Sequence, residues 1–185
     1  MMGGLENLRV LLVDDNQHMR AIVMTVLAGV GVRNVRETRD GAEALEALRD
    51  WPADVAIVDF QMFPIDGVEF TRMVRNAPDS KNPYLPIVMM TGHSEKSRVV
   101  EARDAGVTEF VAKPLTAKSV LERLQAVIYR PRPFVRTANY FGPDRRRRDD
   151  PAYNGPWLRT GDNGAAPASR TPTPSAQDQM QWDEA

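Results

Sequence analysis

The sequence predicts an α/β domain built on a five-stranded, doubly wound parallel sheet, followed by a mostly irregular C-terminal tail. Three observations predict it. Between Leu8 and Tyr129, short β-branched runs alternate five times with stretches of helical period, the pattern of a parallel sheet covered on both faces. Capping and turn residues punctuate the alternation. From Arg130 onward the period stops, and that segment holds 8 of the 14 prolines.

The elements follow in order. "LRVLLVD" (Leu8 to Asp14) is a buried strand by composition, and Met19, Ile22, Val23, Val26, Leu27 and Val30 mark one face of the helix after it. "NVRET" is a short second strand. Asp40 with Glu43 gives a capping-box-like start to a helix over Gly41 to Trp51, which Pro52 follows. "VAIVD" is the third strand, and Val68, Phe70, Met73 and Val74 mark the third helix. "LPIVMMT" is the fourth strand; Ser94 is placed to cap a helix over Glu95 to Ala105, which Gly106 ends. "EFVA" is the fifth strand, and Thr116 caps the last helix, "AKSVLERLQAVIY".

The domain spans residues 7–129, after a leader of residues 1–6. Pro131 and Pro133 bias their predecessors away from the α region and close it. Charge divides at the same place. Up to Tyr129 there are 15 Lys+Arg against 18 Asp+Glu, whereas Arg130 to Arg148 carries 7 Arg and one Asp. There is no cysteine, which excludes disulfides, thiolate chemistry and Cys-based metal sites. His18 and His93 share no metal-ligand spacing, and His18 is expected to face solvent on the first helix turn. No stretch resembles a signal peptide, and no apolar run approaches the roughly 18 residues of a membrane span. A cytoplasmic protein without membrane insertion is expected.

The strand ends carry the chemistry. The first strand ends in Asp14 and Asp15, the third in Asp59, the fourth in Thr91 and the fifth in Lys113. With strand one central, strands one and three are neighbours and their carboxylates converge on one rim, where ligands of open α/β sheets bind. Carboxylates that close are driven toward protonation unless a cation joins them. Oxygen-only ligands point to a hard cation such as Mg²⁺. A divalent cation, the Lys113 ammonium and the Thr91 hydroxyl around Asp59 make a pocket suited to a phosphoryl group on that carboxylate. The apolar run before Asp59 is then the floor that fixes it.

The order Asp14-Asp15, Asp59, Thr91, Lys113-Pro114 resembles the receiver domain of two-component response regulators, in particular stand-alone, chemotaxis-type regulators of flavodoxin-like fold. The resemblance implies Mg²⁺-dependent phosphoryl transfer to Asp59 from a histidine kinase or histidine phosphotransfer protein. It implies that Asp14, Asp15, Asp59 and the backbone carbonyl of Gln61 hold the metal. Lys113 would pair with the phosphoryl group, with Thr91 and Phe110 as switch residues. Such a domain catalyses its own phosphorylation and dephosphorylation rather than acting on a separate substrate. Its output is expected from the face of helix four, strand five and helix five, around Val99, Val100, Ala102, Val111 and Ala112, or from the tail. Gly92 leaves room for the phosphoryl group and its donor. The loop after Asp59 departs from the family pattern, with Phe63 where proline is usual and Pro64 one later. Gln61 either orients an attacking water or is a rim residue without kinetic effect.

No helix-turn-helix or catalytic motif follows Tyr129. The tail "RPRPFVRTANYFGPDRRRRDD" is expected to be a docking segment, with Phe134, Val135, Tyr140, Phe141 and Trp157 as anchors and Arg145, Arg146, Arg147 and Arg148 facing an acidic partner. Alternatives are a solvated basic run, nucleic-acid binding through the arginines, and an output limited to draining phosphoryl groups from a shared kinase. The RxxxR spacing of Arg132 and Arg136 resembles cyclic-di-nucleotide binders only weakly. The Arg/Pro-rich extension, residues 130–185, is expected to be largely disordered, including the low-complexity stretch Asn163 to Ser175.

Overall fold

The computed structural model of the chain describes residues 5–92 and 98–145, together with the backbone of Ala168–Thr171. Strands β1 (Arg9–Val13), β2 (Asn34–Thr38), β3 (Val55–Asp59), β4 (Ile87–Thr91) and β5 (Glu109–Ala112) alternate with helices α1 (Gln17–Gly29), α2 (Gly41–Asp50), α3 (Gly67–Asn76), α4 (Val99–Ala105) and α5 (Ala117–Tyr129). The strands pair in parallel in the order β2-β1-β3-β4-β5, the doubly wound architecture expected. Every position of β3 and β4 is buried, hence their unbroken apolar sequences. Edge strand β2 buries only Thr38, hence the polar "NVRET".

Helices α1 and α5 cover one face. Val23, Leu27, Val120 and Leu124 pack there on Val10, Leu12, Ile57 and Met90. On the other face α2 and α3 set Ala44, Ala47, Phe70 and Val74 against Leu11, Val13 and Val58. Ala102 and Ala105 of α4 join Phe60, Val68 and Met89. Two residues read as core-facing are corrected: Ile22 is 39% and Met73 37% exposed, each beside the i,i+4 stripe that is buried. Asn16, Asp40, Asp66 and Thr116 cap four helices by accepting backbone N–H bonds. Gly106 ends α4 at φ 105°, in the left-handed region. Ser94 and the first residues expected of that helix lie outside the described residues. Among the described residues no helix is long and apolar enough to cross a membrane.

Helix α5 stops at Tyr129, but packing continues past it. Strands β6 (Phe134–Arg136) and β7 (Phe141–Pro143) form an antiparallel hairpin, and the backbone of β8 (Ala168–Thr171) pairs with the other edge of β6. Phe134 and Phe141, expected to await a partner, are only 3% and 6% exposed. Their rings lie 5.1 and 5.2 Å from that of Tyr84, so both anchors are taken up within the chain. The physical reason is proximity: a few residues beyond α5, the chain's own apolar surface is at far higher effective concentration than any partner. Strand β8 corrects the expectation of disorder for its four residues. Arg146, Arg147, Arg148 and Trp157 lie outside the described residues.

Candidate functional site at the carboxyl rim of the sheet

Each expected rim residue follows or ends a strand. The register Val13↔Val58 sets Asp14 beside Asp59 on the next rung. The backbone N–H of Asp14 donates to the Thr38 carbonyl at 3.2 Å, holding the end of β1 to β2. The backbone N–H of Lys113 donates to the Thr91 carbonyl at 2.8 Å and carries the β4–β5 pairing beyond β5. One carboxylate oxygen from each of Asp14, Asp15 and Asp59 lies within 4.8 Å of the others, a group able to hold a metal ion. Asp14 and Asp59 are buried, while Asp15 is exposed.

Asp59 Oδ1 is doubly held. The Lys113 ammonium approaches it at 2.7 Å, and the Phe60 N–H donates to it at 2.8 Å. Asp14 Oδ1 accepts from the Asn16 N–H at 2.8 Å, whereas its buried Oδ2 has no hydrogen-bond partner among the described residues. A buried carboxylate oxygen without a donor is costly unless something absent from the polypeptide completes it. Burial pushes both carboxyl groups up from the ordinary aspartate range, with Lys113 opposing the shift at Asp59 and the Asn16 N–H opposing it at Asp14. The chemistry of the donor set, oxygen only and anionic, with one buried oxygen lacking a donor among the described residues, fits a hard divalent cation.

Thr91 is 9% exposed at the end of β4. Phe110 is half-buried, packs on the cluster containing Phe60 and Met89, and stands opposite Met89 in the register. Gln61 is exposed in the loop after Asp59. That loop closes where the Gly67 N–H donates to the Phe60 carbonyl at 3.2 Å; a Cβ on Gly67 would run into the Asp59 carbonyl oxygen. Only glycine lets α3 begin so close to β3. Phe63 stands 83% exposed in this loop, and the Phe63–Pro64 and Lys113–Pro114 peptides are both cis. His18 is exposed, as expected, and His93 lies outside the described residues. Of the expected output face, Val100 and Ala112 are exposed, while Ala102 and Val111 are buried and belong to the core.

Two arginines near the site escaped sequence reading. Arg20 donates to the Asp14 carbonyl at 2.8 Å and pairs with Glu37 at 3.3 Å, tying α1 to the rim. Arg98 pairs with Asp66 at 3.3 Å and lies 5.0 Å over the ring of Phe60, the residue after Asp59. Spacing from the carboxylates gives no signal for Arg98, because 32 residues separate it from Asp66.

The chain is similar to known proteins. A family model described as the response regulator receiver domain matches residues 10–125. The chain is 32% identical over 125 residues to chemotaxis protein CheY-3 of Vibrio cholerae, covering 68% of this chain and 95% of that protein. It is 32% identical over 123 residues to chemotaxis protein CheY of Pseudomonas aeruginosa, covering 66% and 98%. The solved structure of chemotaxis protein CheY4 of Vibrio cholerae superposes with a TM-score of 0.58 at 32% identity, over 65% of this chain and 98% of that one. The receiver domain of a sensor histidine kinase from Pseudomonas aeruginosa, solved with a magnesium ion coordinated in its active site cleft, gives a TM-score of 0.57 at 25% identity, over 64% and 94%.

Proposed function

The chain belongs to the response regulator receiver domain family, and from that premise we propose that Asp59 accepts a phosphoryl group from a histidine kinase or histidine phosphotransfer protein in the cytoplasm. The phosphorylated domain then signals by protein contact. Lys113 already holds Asp59 Oδ1 at 2.7 Å, which leaves Oδ2 to attack phosphorus while the donor's nitrogen–phosphorus bond breaks and the nitrogen keeps the electron pair. The product is an acyl phosphate. Lys113 orients the carboxylate beforehand and faces the added charge afterwards. In this reading the Thr91 hydroxyl donates to a phosphoryl oxygen, and Gln61 orients the water of hydrolysis.

Asp14, Asp15, Asp59 and the backbone carbonyl of Gln61 would hold Mg²⁺, which supplies the positive charge that lets the carboxylates and the incoming phosphoryl group share one rim. The observation that carries this reading is the group of three carboxylates within 4.8 Å beside an ammonium, with Asp14 Oδ2 left without a donor among the described residues. Incubation with acetyl phosphate and Mg²⁺ tests it by intact mass. The wild type should gain one phosphoryl group, and omission of the metal or Asp59→Asn should abolish the gain; labelling that survives Asp59→Asn would refute the assignment.

A further inference from the structure

The segment after α5 packs on the edge of the sheet opposite the rim, and it does so through built contacts. The Arg75 side chain, 2% exposed, donates to the Gly106 carbonyl from Nε at 3.1 Å and Nη2 at 3.0 Å, and to the Pro83 carbonyl at 2.8 Å. The Phe134 ring closes over its guanidinium at 5.0 Å. Arg132 donates to the Thr108 carbonyl just before β5, and to the Asp144 carbonyl at 3.2 Å. Arg145 pairs with Asp104 of α4 at 3.2 Å and lies 3.8 Å over the ring of Tyr140. Gly142 faces Gly106 so closely that a Cβ on Gly142 would stand 2.9 Å from the Gly106 Cα.

These anchors share one property. They hold the loop before β4, the end of α4 and the start of β5, whereas Thr91 ends β4 and Lys113 follows β5. Strand β5 has four residues, about 13 Å of extended chain. β5 is the edge strand, with only Val111 buried, and is held by its pairing to β4, so a displacement at one end passes along that pairing to the other.

We propose that residues 130–145 are an intramolecular regulatory cap whose docking is coupled to the state of Asp59 through β4, α4 and β5. The inference rests on Asp59 being the phosphoryl acceptor. In the docked state Lys113 bonds directly to Asp59 at 2.7 Å. A phosphoryl group on Asp59 puts new oxygens between that carboxylate and the ammonium, so Lys113 and the strand leading to it must readjust. The cap favours the unmodified arrangement, and by reciprocity phosphorylation weakens the cap. Releasing the cap frees Phe134 and Phe141 and breaks the Arg145–Asp104 pair with α4, which makes output conditional on phosphorylation.

The test uses the full chain. Hydrogen exchange of peptides covering 134–143 is followed without addition and with beryllium fluoride and Mg²⁺ as phosphoryl mimic, alongside intact mass after acetyl phosphate. We expect exchange across the hairpin to accelerate at least about fivefold, with β1 unchanged. Gly142→Val, which undocks the hairpin without touching the rim, should tighten beryllium fluoride binding by a similar factor; Phe141→Ala serves if the first variant does not fold. Labelling at Asp59 with unaltered hairpin exchange overturns the coupling and leaves the acceptor assignment standing. Failure of labelling overturns the acceptor assignment, and the coupling with it.

Discussion

The protein buries charge at both ends of its sheet, and the two ends treat it oppositely. At the amino-terminal edge Arg75 has no acidic partner among its hydrogen bonds, yet two backbone carbonyls and an aromatic ring satisfy its guanidinium. Burial lowers its pKa to about 9, still well above neutrality, so it stays charged. At the carboxyl rim Asp14 and Asp59 are buried as well, but Asp14 Oδ2 has no donor among the described residues and both carboxyl groups are pushed upward. A satisfied buried charge is architecture. An unsatisfied one marks a place where something from outside must complete the structure.

That contrast breaks most severely at Arg75. Arg75→Met keeps apolar contact with Phe134 but leaves the Gly106 and Pro83 carbonyls without their donor, and should cost about 3 kcal/mol by denaturant unfolding. Loss of under about 0.5 kcal/mol would show that the cation is dispensable. Asp14→Asn should do the reverse. With no divalent cation at neutral pH, it removes a carboxylate that burial disfavours and should stabilise the fold by about 1 kcal/mol.

The sign of the pH dependence follows from the upward shift. The native state binds the Asp14 proton more tightly than the unfolded state, whose carboxyl titrates near the ordinary value of 3.8. The Asp14 contribution to stability therefore falls as pH rises from about 3.8 through the raised native pKa, and the advantage of Asp14→Asn over wild type shrinks as pH falls back through that window. A constant difference between the two proteins at all pH values would contradict it. The smallest effect concerns Gln61, exposed in the loop beyond Asp59. Gln61→Ala should slow loss of the phosphoryl group several-fold if it orients water, read as decay of the labelled mass; an unchanged rate would leave it a spectator.

The two ends also differ in how far the sequence announces them. The rim was legible because strand ends are fixed by composition: a β-branched run stopping at Asp59 places the carboxylate, and the doubly wound order places Asp14 beside it. The hairpin edge was not. Strands β6 and β7 have three residues each, too few to show an alternating period, and prolines flank or end them. Phe134 and Phe141 were recognisable as anchors, but a sequence does not say whose surface an anchor meets. Arg75 gave no hint either, because its partners are carbonyls of Pro83 and Gly106, invisible as side-chain pairs. The cis peptide before Pro64 likewise has no residue signature beyond the proline itself.

The central claim, that Asp14 is left incomplete for a cation while Arg75 at the opposite end is satisfied, is tested most directly by one titration. Thermal unfolding is followed against Mg²⁺ for wild type, Asp14→Asn and Arg75→Met. The wild type should gain stability progressively with Mg²⁺, Asp14→Asn should start higher and gain little, and Arg75→Met should start lower yet gain as much as wild type. Equal responses of wild type and Asp14→Asn, or no response of either, would contradict the claim.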